Sequence, residues 1–308
     1  MNYAIWIISV AWHGDEVSID RNSLISEGVI GGHYENIRLY DEFKLAGFDT
    51  KLINPKNLSI VNDKLILNNN IVKCPDMIIL RQSNLDAIKK TNMLISMGAK
   101  CINNPQGHMN CADKELQYNI LKSSNINIPE TKFVNIPFEE SDISEISNTI
   151  SWPVIVKPIW SQRGDNVELC ANMDDVYIHA KKIKKTYNNG NKMMVQKYVP
   201  GPIIVAWVIG HEIISAQIRE SKNEVFFISN HRENTIRSKY NINNKLNNLA
   251  VSSTKAVGVE IAKLDIFENS GNYMICEINS PGGYSGRDHY FDSNHARDIV
   301  RYVMDIIK

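Results

Sequence analysis

The 308-residue sequence has no apolar run approaching the roughly 18 residues that a membrane span needs. Its five cysteines, Cys74, Cys101, Cys111, Cys170 and Cys276, are scattered, odd in number and without a CxxC pair. That set supports neither a disulfide framework nor a structural zinc site, and fits reduced thiols in a cytoplasm. There is no excess of either charge, with 34 Lys and Arg against 34 Asp and Glu. The whole-protein electrostatic footprint of a nucleic-acid binder is therefore missing. Internal repeats, clean linkers and a basic flank before the apolar start are also missing, so the start reads as a buried strand rather than a signal peptide.

What is present is the composition of a globular protein, 43% apolar and 22% charged. The length suits about two domains at roughly 150 residues each. Strands are expected at 3–10, 50–53 and 76–80, with a helix through Ile37, Tyr40, Phe43 and Leu45 that ends at Gly47. This strand–helix–strand order predicts an α/β domain with parallel strands over 1–108. The connection 11–32 is long and is read either as a functional loop or as a surface insertion. Beyond 108, helices are expected at 113–123, 174–186, 247–259 and 296–307, with a turn at 188–190. Strands are expected at 152–157, 193–199, 203–209, 212–218, 224–229, 261–268 and 272–279.

Asp265 falls on one of the last two strands, and Glu277 and Asn279 on the next. Residues two apart share a face, so Glu277 and Asn279 point the same way. Three hard oxygen donors on neighbouring strands suit Mg²⁺, and Pro281-Gly282-Gly283 lets the backbone turn beside them. The competing reading is a polar, solvated sheet face. Lys157 ends a strand before the small, polar loop Ser161 to Val167, a pattern that can hold phosphate oxygens or be an ordinary strand end. Lys114 opens a helix from which it could reach the same phosphates, or stands there as an ordinary solvated lysine. Gln196 to Val199 form an extended segment able to bond a planar base through its backbone, or simply a core strand.

The order and spacing of these pieces resembles the ATP-grasp superfamily, most closely its RimK-like amino-acid ligases. The carrying motifs are Asn104-Pro105 with Asp113-Lys114, Pro153 to Pro158, Val195 to Tyr198, Asp265, and Glu277 to Gly282. The resemblance implies an ATP-grasp fold, mixing α/β and α+β parts. It implies an N-terminal α/β domain at 1–108, a lobe with a phosphate flap at 109–190, and a lobe with the Mg²⁺ site at 191–308. By position it puts Lys114 and Lys157 on the ATP phosphates and Ser161, Gln162, Gly164 and Val167 in the flap. It puts Gln196, Lys197, Tyr198 and Val199 on adenine, and Asn230 near the phosphate and substrate end. Asp265, Glu277 and Asn279 match the ligands of two Mg²⁺ ions, with Mn²⁺ a substitute, and Arg219 and Asn279 take catalytic roles.

The implied activity is ATP-dependent ligation of a carboxylate to an amine through an acyl phosphate. Its substrates would be amino acids, peptides or small amines, in a cytoplasmic dimer or tetramer with no nucleic-acid or membrane partner. The sequence departs from the family where an Asp-x-Arg pair is usual, carrying Ile203 and Val205, and where an Arg is usual, carrying Ile228. Asn166 and Ser161 replace flap glycines, and Arg163 is extra. Substrate contacts are expected from His13, Arg81, His231, Arg232 and Arg237, the last three in a loop at 231–240. The rivals are a glutathione-synthetase-like or D-alanine-ligase-like enzyme, and an ATP-binding protein that has lost catalysis.

Overall fold

The computed structural model describes residues 3–9, 32–137, 139–159, 166–186, 192–221 and 235–307. β1 (Ala4–Ile8) reads Ala-Ile-Trp-Ile-Ile, and its last four residues are buried. A strand apolar on both faces belongs in the middle of a parallel sheet. β1 pairs in parallel with β2 (Asp49–Ile53) on one side and β6 (Met77–Leu80) on the other, and β6 pairs in parallel with β7 (Lys100–Ile102). α1 (Gly32–Leu45) connects β1 to β2, and α2 (Leu85–Ser96) connects β6 to β7. In the order β2-β1-β6-β7 the direction of the crossovers reverses between β1 and β6.

Between β2 and β6 lies a meander absent from the sequence expectations: β3 (Leu58–Val61), β4 (Lys64–Leu67) and β5 (Asn70–Ile71). Its two hairpin turns are Asn62-Asp63 and Asn68-Asn69, all four with positive φ, which two-residue turns of this kind require.

Two helices lead into the second half. Asn104 caps α3 (Pro105–Ala112), and Asp113 caps α4 (Lys114–Ser123) by accepting the amides of Glu115 and Leu116 at 2.9 and 3.0 Å. Side-chain caps of this type satisfy amides that the first turn leaves open. β8 (Thr131–Asn135), α5 (Glu140–Thr149), β9 (Val154–Pro158), β10 (Glu168–Cys170), α6 (Met173–Thr186) and β11 (Lys192–Lys197) follow. Their strands form an antiparallel sheet in the order β10-β9-β11-β8. The last antiparallel sheet runs β14-β13-β12-β15-β16. It contains β12 (Ile203–Ile209), β13 (Glu212–Ser221), β14 (Thr235–Lys239), β15 (Ile261–Asn269) and β16 (Asn272–Asn279). α7 (Asn244–Val257) precedes β15, and α8 (Ser285–Phe291) and α9 (His295–Ile306) close the chain. The strand expected at 224–229 and the turn at 188–190 lie outside the described residues.

β12 explains how the halves hold together. Ile204, Ala206 and Val208 join Leu264, Ile266 and Ile278 in a core against Leu121 of α4 and Leu246, Ala250 and Val257 of α7. Val205, Trp207 and Ile209 point the other way. They join Ile5, Ile7, Leu39 and Phe43 of the first sheet and its helix, and Ala296, Ile299, Val300 and Val303 of α9. The last helix therefore packs in the core of the first sheet.

α3 approaches the end of α7 closely. A Cβ on Gly107 would lie 2.1 Å from the Gly258 carbonyl oxygen and 2.8 Å from Val259 Cγ1. Gly107→Ala is expected to cost about 1–3 kcal/mol through overpacking, lowering Tm by roughly 2–4 °C per kcal/mol. Gly286→Ala, whose added Cβ meets nothing within 4 Å, leaves Tm unchanged or slightly raised. Differential scanning calorimetry of the pair checks this.

Candidate active site

Asp265 stands directly opposite Glu277 across β15 and β16, and Lys263 opposite Asn279. The register shifts just after Asp265, so Cys276 is the extra residue on β16. Opposed carboxylates on neighbouring strands repel. Lys114, the first residue of α4, places Nζ 3.4 Å from Glu277 Oε1. Asp265 Oδ1 is buried and, among the described residues, has no hydrogen-bond partner. An orphaned buried carboxylate oxygen calls for an external partner. Among the described residues no three His, Cys, Asp or Glu side chains group as a metal site. The set here is two carboxylates and a carboxamide, all oxygen donors. That fits Mg²⁺, which draws much of its shell from water and phosphate. The following Gly282 has φ +66°, and a Cβ there would sit 2.7 Å from the Lys263 amide nitrogen.

Lys114, Gln117, Lys157, Gln196, Cys276 and Glu277 line one cleft between α4, the β8–β11 sheet and β16. Lys157 projects from β9 opposite Met194, with Nζ 3.5 Å from Gln196 Oε1. Gln196 is 3% exposed and donates to Thr131 Oγ1 at 2.9 Å. Burial pushes the Cys276 thiol up to about 12, so it stays protonated among two lysines and two carboxylates.

The expected base-binding backbone at 196–199 narrows. Gln196 lies inside β11, paired on both sides. The amides of Lys197 and Tyr198 donate to the carbonyls of Glu130 and Pro153 at 2.8 and 3.1 Å. Among the described residues no backbone partner takes the Val199 amide.

Arg219 lies on β13, opposite Ile203 on one side and Arg237 on the other. With its amide turned to satisfy both, Gln217 accepts from Arg219 Nε and Nη2 at 3.2 Å each. Burial lowers the Arg219 pKa and Asp265 acts against that shift. Arg237 is not in a loop, as the sequence suggested, but on strand β14. The β-ladder fixes it beside Arg219, and its Nη1 donates to Tyr290 Oη at 3.1 Å. Arg81 follows β6 and donates to the Pro281 carbonyl at 3.3 Å. Val167 directly precedes β10. Ser161, Gln162, Gly164, Asn230, His13, His231 and Arg232 lie outside the described residues.

Sequence reasoning missed three residues that shape this site. Asn103 Oδ1 accepts the amides of Glu260 and Ile261 at 2.8 Å each, while Nδ2 donates to the Ile261 carbonyl at 2.6 Å and to Ser280 Oγ at 2.8 Å. His108 bridges Ser280 Oγ (3.2 Å from Nδ1) and the Leu80 carbonyl (3.0 Å from Nε2). It thereby ties the residue after Asn279 to the residue before Arg81. Gln117 accepts the Ile278 amide at 2.9 Å and donates to its carbonyl at 2.8 Å, filling the open edge of β16 as a strand would. No local pattern marks these residues, because the side-chain partners just given are all more than 20 residues away.

Residues 111–303 match the model of the RimK-like ATP-grasp domain. The chain belongs to the RimK-like ATP-grasp family. It is by family an ATP-dependent carboxylate–amine ligase of ATP-grasp fold, and ATP and Mg²⁺ binding are typical of that family. A similar protein from Legionella pneumophila (strain Corby), named "Probable alpha-L-glutamate ligase", is 24% identical over 282 residues, 88% of this chain and 91% of that one. One of the same name from Saccharophagus degradans is 24% identical over 216 residues, 69% and 68% of the two chains. Among solved structures, the ATP-grasp ligase PsnB, complexed with minimal precursor, Mg and ADP, aligns with a TM-score of 0.71. It is 14% identical, covering 99% of this chain and 97% of that chain. D-alanine–D-alanine ligase from Bacillus anthracis, complexed with ATP, aligns with a TM-score of 0.63 at 15% identity, covering 98% and 96%. No helix among the described residues is long and apolar enough to cross a membrane.

In this RimK-like protein the network at Ser280 has a pH-sensitive member. Burial lowers His108 from 6.5 to about 4. Because the folded value lies below the unfolded one, the unfolded chain binds the extra proton between them. His108 therefore contributes full stability above about 6.5, and that contribution is lost as pH falls toward about 4. Urea unfolding across this window should show a loss on the order of 1–3 kcal/mol from this group. His108→Gln is less stable than wild type at pH 7 and shows a flatter pH dependence.

Proposed function

We propose that the chain condenses a carboxylate with an amine through an acyl phosphate, using ATP, on amino-acid or peptide substrates. One observation carries the reading. Lys114, Lys157 and Glu277 line one cleft, Asp265 stands opposite Glu277 on the neighbouring strand, and among the described residues a buried Asp265 oxygen is left unpartnered. Cations for phosphate and oxygen donors for a hard metal thus meet in one place.

In this reading residues 1–108 form the leading domain, and 109–190 and 191–308 form the lobes that take ATP between them. Lys114 and Lys157 hold phosphate oxygens, and Lys114 leaves Glu277 to do so. Asp265, Glu277 and Asn279 hold two Mg²⁺ ions, for which Mn²⁺ substitutes. Bound there, Mg²⁺ supplies positive charge that offsets the phosphates during transfer. Val199 offers its amide to adenine within the segment from Gln196 through Lys197 and Tyr198. Ser161, Gln162, Gly164 and Val167 cover the phosphates and exclude water that would hydrolyse the intermediate.

The substrate carboxylate attacks the γ-phosphorus and ADP leaves. The amine nitrogen then attacks the acyl carbon, the bond from that carbon to the phosphate oxygen breaks, and the nitrogen loses a proton. Arg219, Asn230 and Asn279 stabilise charge at this centre. The glutamate ligase names of the relatives and the precursor bound to PsnB support an amino acid or peptide as substrate. Arg81, Arg237, His13, His231 and Arg232 are its candidate contacts. The protein works in the cytoplasm as a dimer or tetramer, without nucleic acid or membrane.

The test is ADP release with Mg–ATP against amino acids and dipeptides, with mass spectrometry of the product. Turnover should need two co-substrates and give a product one water lighter than their sum. Glu277→Ala should lower kcat about 100-fold or more, and Lys157→Ala should raise KM for ATP at least about tenfold. Full turnover in Glu277→Ala overturns the metal assignment. Nucleotide binding with no turnover on any pair favours the non-catalytic reading, for which aliphatic Ile203 and Val205 speak.

A further inference from the structure

β16 carries two of the candidate metal ligands at its very end, where the ladder by itself holds them weakly. The register shift after Asp265 makes Cys276 an extra residue, and such a bulge interrupts the ladder and bends its strand. Beyond it only Glu277, Ile278 and Asn279 pair with β15 before the strand ends. In an antiparallel ladder alternate residues turn their backbone groups to the partner strand. The Ile278 amide and carbonyl both meet Gln117, so they face the open edge, while those of Glu277 and Asn279 face β15.

The Gln117 carboxamide is buried, 4% exposed, and has one workable orientation. Oε1 accepts the Ile278 amide at 2.9 Å. Nε2 donates to the Ile278 carbonyl at 2.8 Å and to the Cys111 carbonyl of α3 at 3.1 Å, so both of its hydrogens are used. Turning the amide over would set its oxygen against two carbonyls. The Ile278 side chain is buried in the core with α4 and α7. The residue between the two ligands is therefore gripped through its side chain from below and through its backbone from the edge. Gln117 also stands one turn along α4 from Lys114, on the same side. Lys114 meets Glu277, and Gln117 meets the next residue. The lysine contact is exchanged for phosphate in the reading above; the glutamine contact stays.

The other half of the same edge is covered by Asn127, in the connection from α4 to β8. Its carbonyl accepts the Ile275 amide at 2.9 Å, and its Nδ2 donates to the Tyr273 carbonyl at 2.6 Å. These bonds stop short of the bulge.

We infer that Gln117 is a positioning residue for the metal: by fixing Ile278 it sets the spacing of the Glu277 and Asn279 oxygens, so that Mg²⁺ affinity depends on a side chain that is not itself a ligand. The inference rests on the metal reading above. Hydrogen-bonding groups that orient metal ligands change metal affinity about 10–100-fold when removed. The coupling is reciprocal, so Mg²⁺ on Glu277 and Asn279 favours the Gln117 bonds in turn.

Calorimetric titration with ADP, in EDTA and across a range of Mg²⁺ concentrations, tests this together with hydrogen exchange at the Ile278 and Ile275 amides. Mg²⁺ should tighten ADP binding to wild type, and Glu277→Ala should lose that tightening. Gln117→Met, of similar length but without the amide, should need at least about tenfold more Mg²⁺ for half of the effect, with ADP affinity in EDTA within about twofold of wild type. Loss of buried bonds lowers its thermal midpoint as well, so stability is not the readout. Asn127→Ala, which removes an edge bond before the bulge, should keep the wild-type Mg²⁺ requirement. In wild type, Mg–ADP should slow exchange at Ile278 relative to ADP in EDTA and leave Ile275 unchanged; this arm stands even where Gln117→Met does not fold. An unchanged Mg²⁺ requirement in Gln117→Met overturns the inference. So does an equal rise in Asn127→Ala, a loss of ADP affinity in EDTA as large as that in Mg²⁺, or Ile278 exchange that Mg²⁺ does not move. Wild type that binds ADP equally with and without Mg²⁺, or full tightening in Glu277→Ala, overturns the metal reading and the inference with it.

Discussion

Two carboxylates facing one another across β15 and β16 set the terms for the rest of this molecule. Asp265 and Glu277 are paired by the register of the ladder, and neither can turn away without breaking it. Lys114, 3.4 Å from Glu277, offsets part of their repulsion. Among the described residues, Asp265 keeps a buried oxygen without a partner. Such a site is held in place by what lies behind it. Leu264, Ile266 and Ile278 bury the opposite face in the core with α4 and α7. The strands are thus fixed by apolar packing, and the charged face is free to answer to ligands rather than to folding.

The same division of labour explains the loop after β16. Asn279 is followed by four residues that are each tied to a different part of the chain. Ser280 meets Asn103 and His108, Pro281 meets Arg81, Gly283 takes the indole N–H of Trp207 at 3.0 Å, and the Tyr284 amide donates to Glu35 at 2.9 Å. Residues before α4, from Glu35 to His108, therefore reach the candidate metal-binding strand through hydrogen bonds to one short loop. His108 is neutral when buried, so this clamp is built for the neutral pH range.

The site's polarity runs across the sheet. At one end stand oxygen donors and two lysines suited to a nucleotide with its cation. At the other stand Arg219, Arg237 and Lys239, braced by Tyr290 and Phe291. Aliphatic Ile203 and Val205 separate the two. A reaction that joins an activated carboxylate to a second molecule needs two such ends within one face, with water kept out between them. The RimK-like assignment is consistent with this arrangement.

Much of this was legible in the sequence, for local reasons. The Ile-rich β1, the alternation along β16 that puts Glu277 and Asn279 on one face, and the Asp113 cap that starts α4 at Lys114 depend on neighbours within a few residues. The meander at 58–71 was not read, because its short strands carry little alternation and its turns are marked by asparagines rather than by glycine. Residue types recurring two or four apart carry the element order and the donor set of the site within the chain itself. What stands opposite what came from folding: Asp265 against Glu277, Arg219 against Arg237, Gln117 along the edge of β16, and the last helix on the first sheet. Periodicity is a property of a single segment. Opposition depends on register and on contacts between residues far apart in the chain, where a shift of one residue reverses every face.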